Sequence, residues 1–216
     1  MRDYFEEQLN KLNQELTQMG AACEEIISFA SEALTGLNPE LSKKVATVGA
    51  QIDESERTIE NICLKLLLRQ QPVARDLRAI SAAMKMITDM ERIGDQAEDI
   101  VDLIPKMTVR ADEKYPKIRE MAKAAQRMVT EAVDAYVKQD LELAQAVMAH
   151  DDIVDEYFNL VKQGIIDIIA ENPADGEYAL DLLMIAKYFE RIGDHATNIA
   201  EWVEFSDTGV HRDMQA

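Results

Sequence analysis

Two pairs of carboxylates stand out by type and spacing. Glu91 and Asp95 lie four residues apart in "ERIGD", and the same five residues return as Glu190 to Asp194, 99 positions later. On a helical wheel at about 100° per residue, Asp95 falls about 40° from Glu91, Asp102 about 20° and Asp99 about 80°. In the second copy Glu190, Asp194, Asn198 and Glu201 fill the same sector. Like charges at i and i+4 cost a helix about 0.2–0.5 kcal/mol per pair. Neither sector contains Lys or Arg, because Arg92 and Arg191 point about a quarter-turn away. The plain alternative is a solvated acidic face on an acidic chain; the repetition argues for a role.

A second set of acids belongs with the first. The helix ending at Asn172-Pro173 carries Asp151 and Asp155, and Asp155 lies as far before that turn as Glu190 lies after it. An antiparallel hairpin would bring them to one height. Asp53 stands in the same relation to Glu91 across the turn at Gln71-Pro72. Facing carboxylates make a hard, oxygen-rich site that suits divalent or trivalent cations, including carboxylate-bridged clusters. No Glu-x-x-His occurs on the acid helices, so a ferritin-type di-iron oxygenase fits poorly. His195 lies about 100° round the helix from Asp194 and reads as a packed or exposed residue.

The elements that must position these acids are helices. Leu9, Leu12, Leu16, Met19, Cys23, Ile26, Ala30, Ala33 and Leu37 step by threes and fours, the signature of a narrow apolar seam. Asn38 reads as an N-cap with Pro39 at the first helical position. Leu41, Val45, Val48, Ile52, Ser55, Ile59, Ile62 and Leu66 continue the steps to "RQQP" at 69–72. A third helix runs from about Val73 to Ile104. After a polar stretch at 108–116, three more are expected over about 117–138, 141–170 and 175–205. "LLL" at 66–68 and "GIIDIIA" at 164–170 read as core. Gly94 and Gly193 fall on the seam mid-helix, where Gly costs about 1 kcal/mol, so they should mark close helix approach.

The expected fold is therefore all-α: two pseudo-symmetric three-helix bundles from an internal repeat, residues 1–107 and 114–205, with a polar, frayed tail at 206–216. Half of such a molecule would bury its faces poorly alone.

Composition sets limits on partners. The chain has 216 residues, a net charge of −18 and 47% hydrophobic content. A phosphate backbone or a bare anionic membrane would repel it. The opening "MRDYFEEQLNKLNQ" has no apolar signal region, and no run reaches the ~18 apolar residues of a spanning helix. Cys23 and Cys63 sit in apolar helical patterns and read as reduced core thiols, with a disulfide as the alternative. No Walker motif, dinucleotide fingerprint, nucleophile elbow or kinase signature occurs.

"QQPVARDLRAI" at 70–80, "ERIGDQAEDI" and "ERIGDHATNIAEWV" resemble the signature segments of the PhoU family. That resemblance covers almost the whole chain. It implies a non-enzymatic, cytoplasmic, usually homodimeric regulator of phosphate uptake, peripheral at the inner membrane through its partners. Those partners would be the ATPase subunit of the Pst phosphate transporter and a PhoR-type sensor kinase, with restraint of the starvation response when phosphate is plentiful. It implies metal clusters, of iron or zinc in some members, at Glu91 with Asp95, Glu190 with Asp194, and Asp151 with Asp155. Magnesium or calcium would also suit such oxygen donors. The family usually has an acid where this chain has Gly49, so the first site is expected to be poorer in ligands and to fill second. A two-metal hydrolase and a metal-free scaffold are the competing readings.

Overall fold

The computed structural model describes residues 2–36, 38–70, 72–104 and 116–210. Among these lie six long helices: α1 (Arg2–Ala33), α2 (Pro39–Gln70), α3 (Ala74–Leu103), α4 (Pro116–Lys138), α5 (Leu141–Glu171) and α6 (Gly176–Thr208), with one 3-10 turn at Pro173–Asp175. The apolar steps explain them. Leu12, Leu16, Met19, Cys23, Ile26 and Ala30 of α1 are all fully buried. They join one continuous core with the apolar faces of the other five helices.

Caps set most of the boundaries. Asn38 Oδ1 accepts from the Leu41 amide at 2.9 Å, with Pro39 as the first helical residue. Asp140 caps α5 by accepting from Leu143 at 3.0 Å. Asn172 accepts from Ala174 at 3.2 Å, which closes the α5–α6 turn. Each cap satisfies a backbone donor that the first helical turn leaves orphaned.

Three expectations need correction. The first helix ends at Ala33, where Thr35 and Gly36 donate to Glu32 and Ala33 and tighten the last turn; Leu37 lies outside the described residues. The last helix runs past 205. Gly209, at φ 78°, donates to Phe205 at 2.8 Å as a left-handed cap, and Arg78 of α3 donates to the Ser206 and Asp207 carbonyls at 3.4 and 3.3 Å. A guanidinium at the negative end of a helix both pairs its free carbonyls and opposes its dipole. Ser206 to Val210 are thus held, while 211–216 lie outside the described residues. Finally, Leu68 in "LLL" and Ile166 and Ile169 in "GIIDIIA" are exposed.

The first repeat contributes α1–α3 and the second α4–α6. α3 and α6 cross antiparallel at the centre, as a ladder of contacts shows. Arg78 meets Ser206 and Asp207, Lys85 lies over the Trp202 ring, and Asp89 meets His195 and Asn198. The α2–α3 turn and the α5–α6 turn therefore lie at opposite ends of the molecule. α2 and α5 flank this centre, and each meets its own repeat's central helix through the seam glycine. A Cβ on Gly94 would stand 3.2 Å from Ile52 Cδ1, and one on Gly193 would stand 3.3 Å from Val154 Cγ1. Ile52 and Val154 are repeat counterparts, so both glycines serve the same close crossing.

Candidate functional site: paired carboxylate clusters

The close crossings bring the acids of neighbouring helices together. In the second repeat Asp151 and Asp155 of α5 meet Glu190 and Asp194 of α6, as the hairpin geometry required. Asp194 is held above the ordinary carboxylate range by partial burial and by the charges of Glu190, Asp151 and Asp155, against which Lys187 acts. Asp151 is raised by burial first, then by Asp155, Asp152 and Glu190. Thr197 stands beside it and favours its ionised form, although the Thr197 hydroxyl makes no hydrogen bond of full geometry. Burial and like charge both penalise the carboxylate, so each proton is held more tightly than in water.

In the first repeat Glu91 is raised by burial, then by Asp95, Glu56 and Asp53, with Arg92 opposing. Two residues here were absent from the sequence reading. Glu98, raised by burial and then by Asp53, Asp95, Asp102 and Asp99, lies in the cluster. Glu56 is raised by burial, Glu60 and Asp53. The wheel contained the signal for Glu98, which falls about −20° from Glu91. Its position relative to Gly49 bears on the expected weakness of this half. A Cβ on Gly49 would stand 1.9 Å from Glu98 Oε1. The Glu98 carboxylate fills the space that a side chain at position 49 would take, so this half is not short of an acid.

The expectation that no cation shares the sector is also corrected. Arg92 Nη1 lies 3.1 Å from Asp95 Oδ2, and its Nε lies 3.5 Å from Glu91 Oε2. Lys187 pairs with Glu190 from one turn earlier on α6. The long Arg92 side chain crosses the quarter-turn that separates its Cα from the acids, whereas Lys187 lies only about 60° round the helix from Glu190, inside the sector.

Asn198 and Asp99 are drawn elsewhere. Asn198 Nδ2 donates to Asp89 at 3.1 Å, and the Asp99 carboxylate faces the Tyr188 hydroxyl, whose pKa is raised first by burial and then by Asp99. Asp89 and Tyr188 are repeat counterparts, as are Asp99 and Asn198. The two contacts are one contact repeated across the pseudo-twofold axis at the α3–α6 crossing. His195 joins it, with Nδ1 2.8 Å from Asp89 Oδ1. Asp102 stays within reach of Glu98, and Glu201 is half-buried on α6 two turns beyond Asp194.

The donor set fits a hard cation in kind. Both clusters offer carboxylate oxygens, and the nearby imidazole is turned to Asp89. That chemistry suits magnesium, calcium or ferric iron better than zinc, which favours nitrogen and sulfur. Cys23 and Cys63 are free, buried and pushed up to about 12, chiefly by burial, so neither offers a thiolate. The spacing is open: among the described residues no three Asp, Glu, His or Cys side chains are gathered as ligands. Mutual repulsion keeps such carboxylates apart until a cation screens them.

The fold and this site define an all-α protein of two pseudo-symmetric three-helix repeats, each with a carboxylate cluster on its outer crossing. The PhoU domain family model matches residues 16–104 and again 118–203. The chain belongs to the PhoU family. It is 33% identical over 99% of its length to a phosphate-specific transport system accessory protein PhoU homolog of Clostridium acetobutylicum, of which it covers 98%. It is 32% identical to the homolog of Pseudomonas aeruginosa, over 95% of this chain and 86% of that one. The crystal structure of PhoU from Pseudomonas aeruginosa superposes with a TM-score of 0.87 over 95% of this chain and all of that chain. A phosphate transport regulatory protein PhoU from Streptococcus pneumoniae, at 24% identity and a TM-score of 0.85, shares the fold.

Proposed function

We propose that this chain is a non-enzymatic, cytoplasmic regulator of phosphate uptake and of the phosphate-starvation response. In this reading it works between the Pst transporter's ATPase subunit and a PhoR-type sensor kinase, and restrains both when phosphate is plentiful. One observation carries the reading: identity of 33% across both repeats to a protein named as an accessory of phosphate-specific transport. Two features support it. Among the described helices none is long and apolar enough to cross a membrane, so contact with a transporter would go through its exposed domains. At a net charge of −18, association would favour basic partner surfaces and weaken with salt.

The carboxylate clusters belong to the same proposal as cation sites. Asp53, Glu91, Asp95 and Glu98 would hold an ion in the first repeat, and Asp151, Asp155, Glu190 and Asp194 would hold one in the second. Bound cations would replace the protons that the clusters retain.

The regulatory reading is tested by deleting the gene, together with any paralogue, and following a phosphate-starvation reporter in phosphate-rich medium. The reporter should switch on. Unchanged expression in that strain would remove the reading.

A further inference from the structure

We infer that this chain binds a small amino acid, of the size of glycine or alanine, in a cavity at the α2–α3 end of the molecule. The cavity holds about 100 Å³ and opens to solvent. Benzene occupies a cavity of about 150 Å³, so this one suits a ligand of roughly four to six heavy atoms. Its walls come from both repeats. Arg75 and Asp76 stand at the start of α3, Gln139 in the α4–α5 turn, Asp207 near the end of α6 and Asn13 on α1.

The fold itself does not require this gap. Ala79 lines it where α6, at the same register, carries Tyr178, a side chain packed against the core. Tyr136 lines it where the first repeat has the buried Leu34. The Tyr136 hydroxyl donates to the Ala79 carbonyl at 3.1 Å, and its oxygen can still accept. Gln139 carries a backbone cost. At φ 53° it is the only non-glycine among the described residues in the left-handed region. The Gln139 and Asp140 amides donate to the Tyr136 and Ala135 carbonyls, a helix ending at which glycine is usual. The strained residue holds Arg75, whose Nη2 donates to Gln139 Oε1 at 3.1 Å. Strain kept at a non-glycine residue is a mark of a functional position.

Charge selects the ligand. A simple anion meets Asp76 and Asp207 in this cavity, and a simple cation meets Arg75. A zwitterion suits both. Its carboxylate pairs with Arg75 and the amides of Asn13 and Gln139, and its ammonium with the carboxylates. A small side chain rests on Leu9, Leu141 and Val203, which also line the cavity. Bound there, the ligand ties α1 and α3 of one repeat to the α4–α5 turn and α6 of the other.

The test titrates the full chain with alanine and with glycine by calorimetry and follows the melting temperature. One site per chain should fill with a dissociation constant of about 0.1–1 mM, as so few atoms allow. Acetate, ethylamine and inorganic phosphate each lack one of the two charges and should bind about tenfold more weakly, or less. Arg75→Gln, at an exposed position, should weaken alanine binding by about tenfold and keep the melting temperature of the ligand-free chain. Gln139→Gly should weaken alanine binding too, yet should not lower that temperature, because glycine relieves the left-handed strain. Ala79→Tyr, which copies the second repeat, should abolish binding; if it does not fold, the other two variants decide the matter. Four results would each overturn the inference: no binding of either amino acid, equal affinity for acetate or ethylamine, tighter binding of phosphate than of alanine, and alanine binding indifferent to Arg75→Gln and Gln139→Gly.

Discussion

Where α5 carries Asp151, α2 carries Gly49; where α6 carries Thr197, α3 carries Glu98. The two positions face one another in both repeats. In the second, Thr197 stands beside Asp151 and favours its charged form; in the first, Glu98 Oε1 lies over the bare backbone of Gly49. The acid has moved from the outer helix to the central one, and the residue opposite has shrunk or lost its charge. What the repeats share is a carboxylate in the crossing, not its address in the sequence.

The largest effect tests that exchange. Gly49→Asp alone should force the Glu98 carboxylate to swing away and set like charges side by side. Combined with Glu98→Thr, which copies the second repeat, it should be tolerated. A double-mutant cycle by chemical denaturation should return a coupling of about 1–2 kcal/mol, as expected for residues in contact. Additive single effects would mean that the two positions do not interact.

The same comparison can be read through cations. Glu98→Gln removes an anionic oxygen from the first cluster alone, and calcium or magnesium affinity there should fall by about tenfold. Thr197→Val, which removes only a neutral hydroxyl that favours ionised Asp151, should lower the second cluster's affinity by a smaller factor. Calorimetric titration of both variants decides it. Because Glu98 takes the place of the missing acid, the two sites should differ less in affinity than Gly49 alone suggests. Absence of any binding heat in the wild type would end the cation reading for both halves.

How much of this was legible in the sequence follows from which interactions are local. Helix periods, the Asn38 and Asp140 neighbourhoods, the repeat and the meeting of Asp155 with Glu190 depend on spacing along one helix or across one turn. Glu98 did lie in the acid sector of the wheel. Its relation to Gly49, however, depends on the rotation of α2 against α3, which the Ile52–Gly94 contact sets and no single-helix pattern encodes. Asn198 and Asp99 shared the acid sector by angle, yet the α3–α6 crossing draws them to Asp89 and Tyr188. At the end of α6 the left-handed Gly209 was a local stop signal that could have been read, whereas the bonds that hold Ser206 and Asp207 come from Arg78, 128 residues earlier in the chain than Ser206.

Protonation should act on both clusters in the same direction. Glu91, Glu98, Asp151 and Asp194 all hold their protons to a higher pH than ordinary carboxylates, first through burial and then through neighbouring acids. Between the unfolded and folded titrations the native chain binds more protons than the unfolded one. Stability therefore falls as pH rises through the folded values, and recovers as pH drops toward the ordinary carboxylate range. The melting temperature should rise as pH is lowered from about 7.5 toward the ordinary carboxylate range without added ions. Saturating calcium at pH 7.5 should produce a similar gain and flatten the pH dependence. A melting temperature that falls over this interval would show that the clusters are not under repulsion.

The smallest effect distinguishes the two clusters by their cations. Arg92 reaches both Glu91 and Asp95, whereas Lys187 pairs with Glu190. Arg92 is more than half exposed, so its ion pairs contribute less than about 1 kcal/mol. Arg92→Gln should lower the melting temperature slightly when no divalent ion is present. With calcium in excess the sign should change. The guanidinium competes with the ion for the same oxygens, and its removal frees Glu91 and Asp95 to bind, so the calcium-induced gain should exceed that of the wild type. Lys187→Gln should do the same in the second repeat, chiefly through Glu190, and by a smaller margin. Melting curves of both variants, with chelator and with calcium, separate these outcomes. A loss of stability that is equal in the two conditions would mean that Arg92 is only a surface ion pair and that no ion enters where it lies.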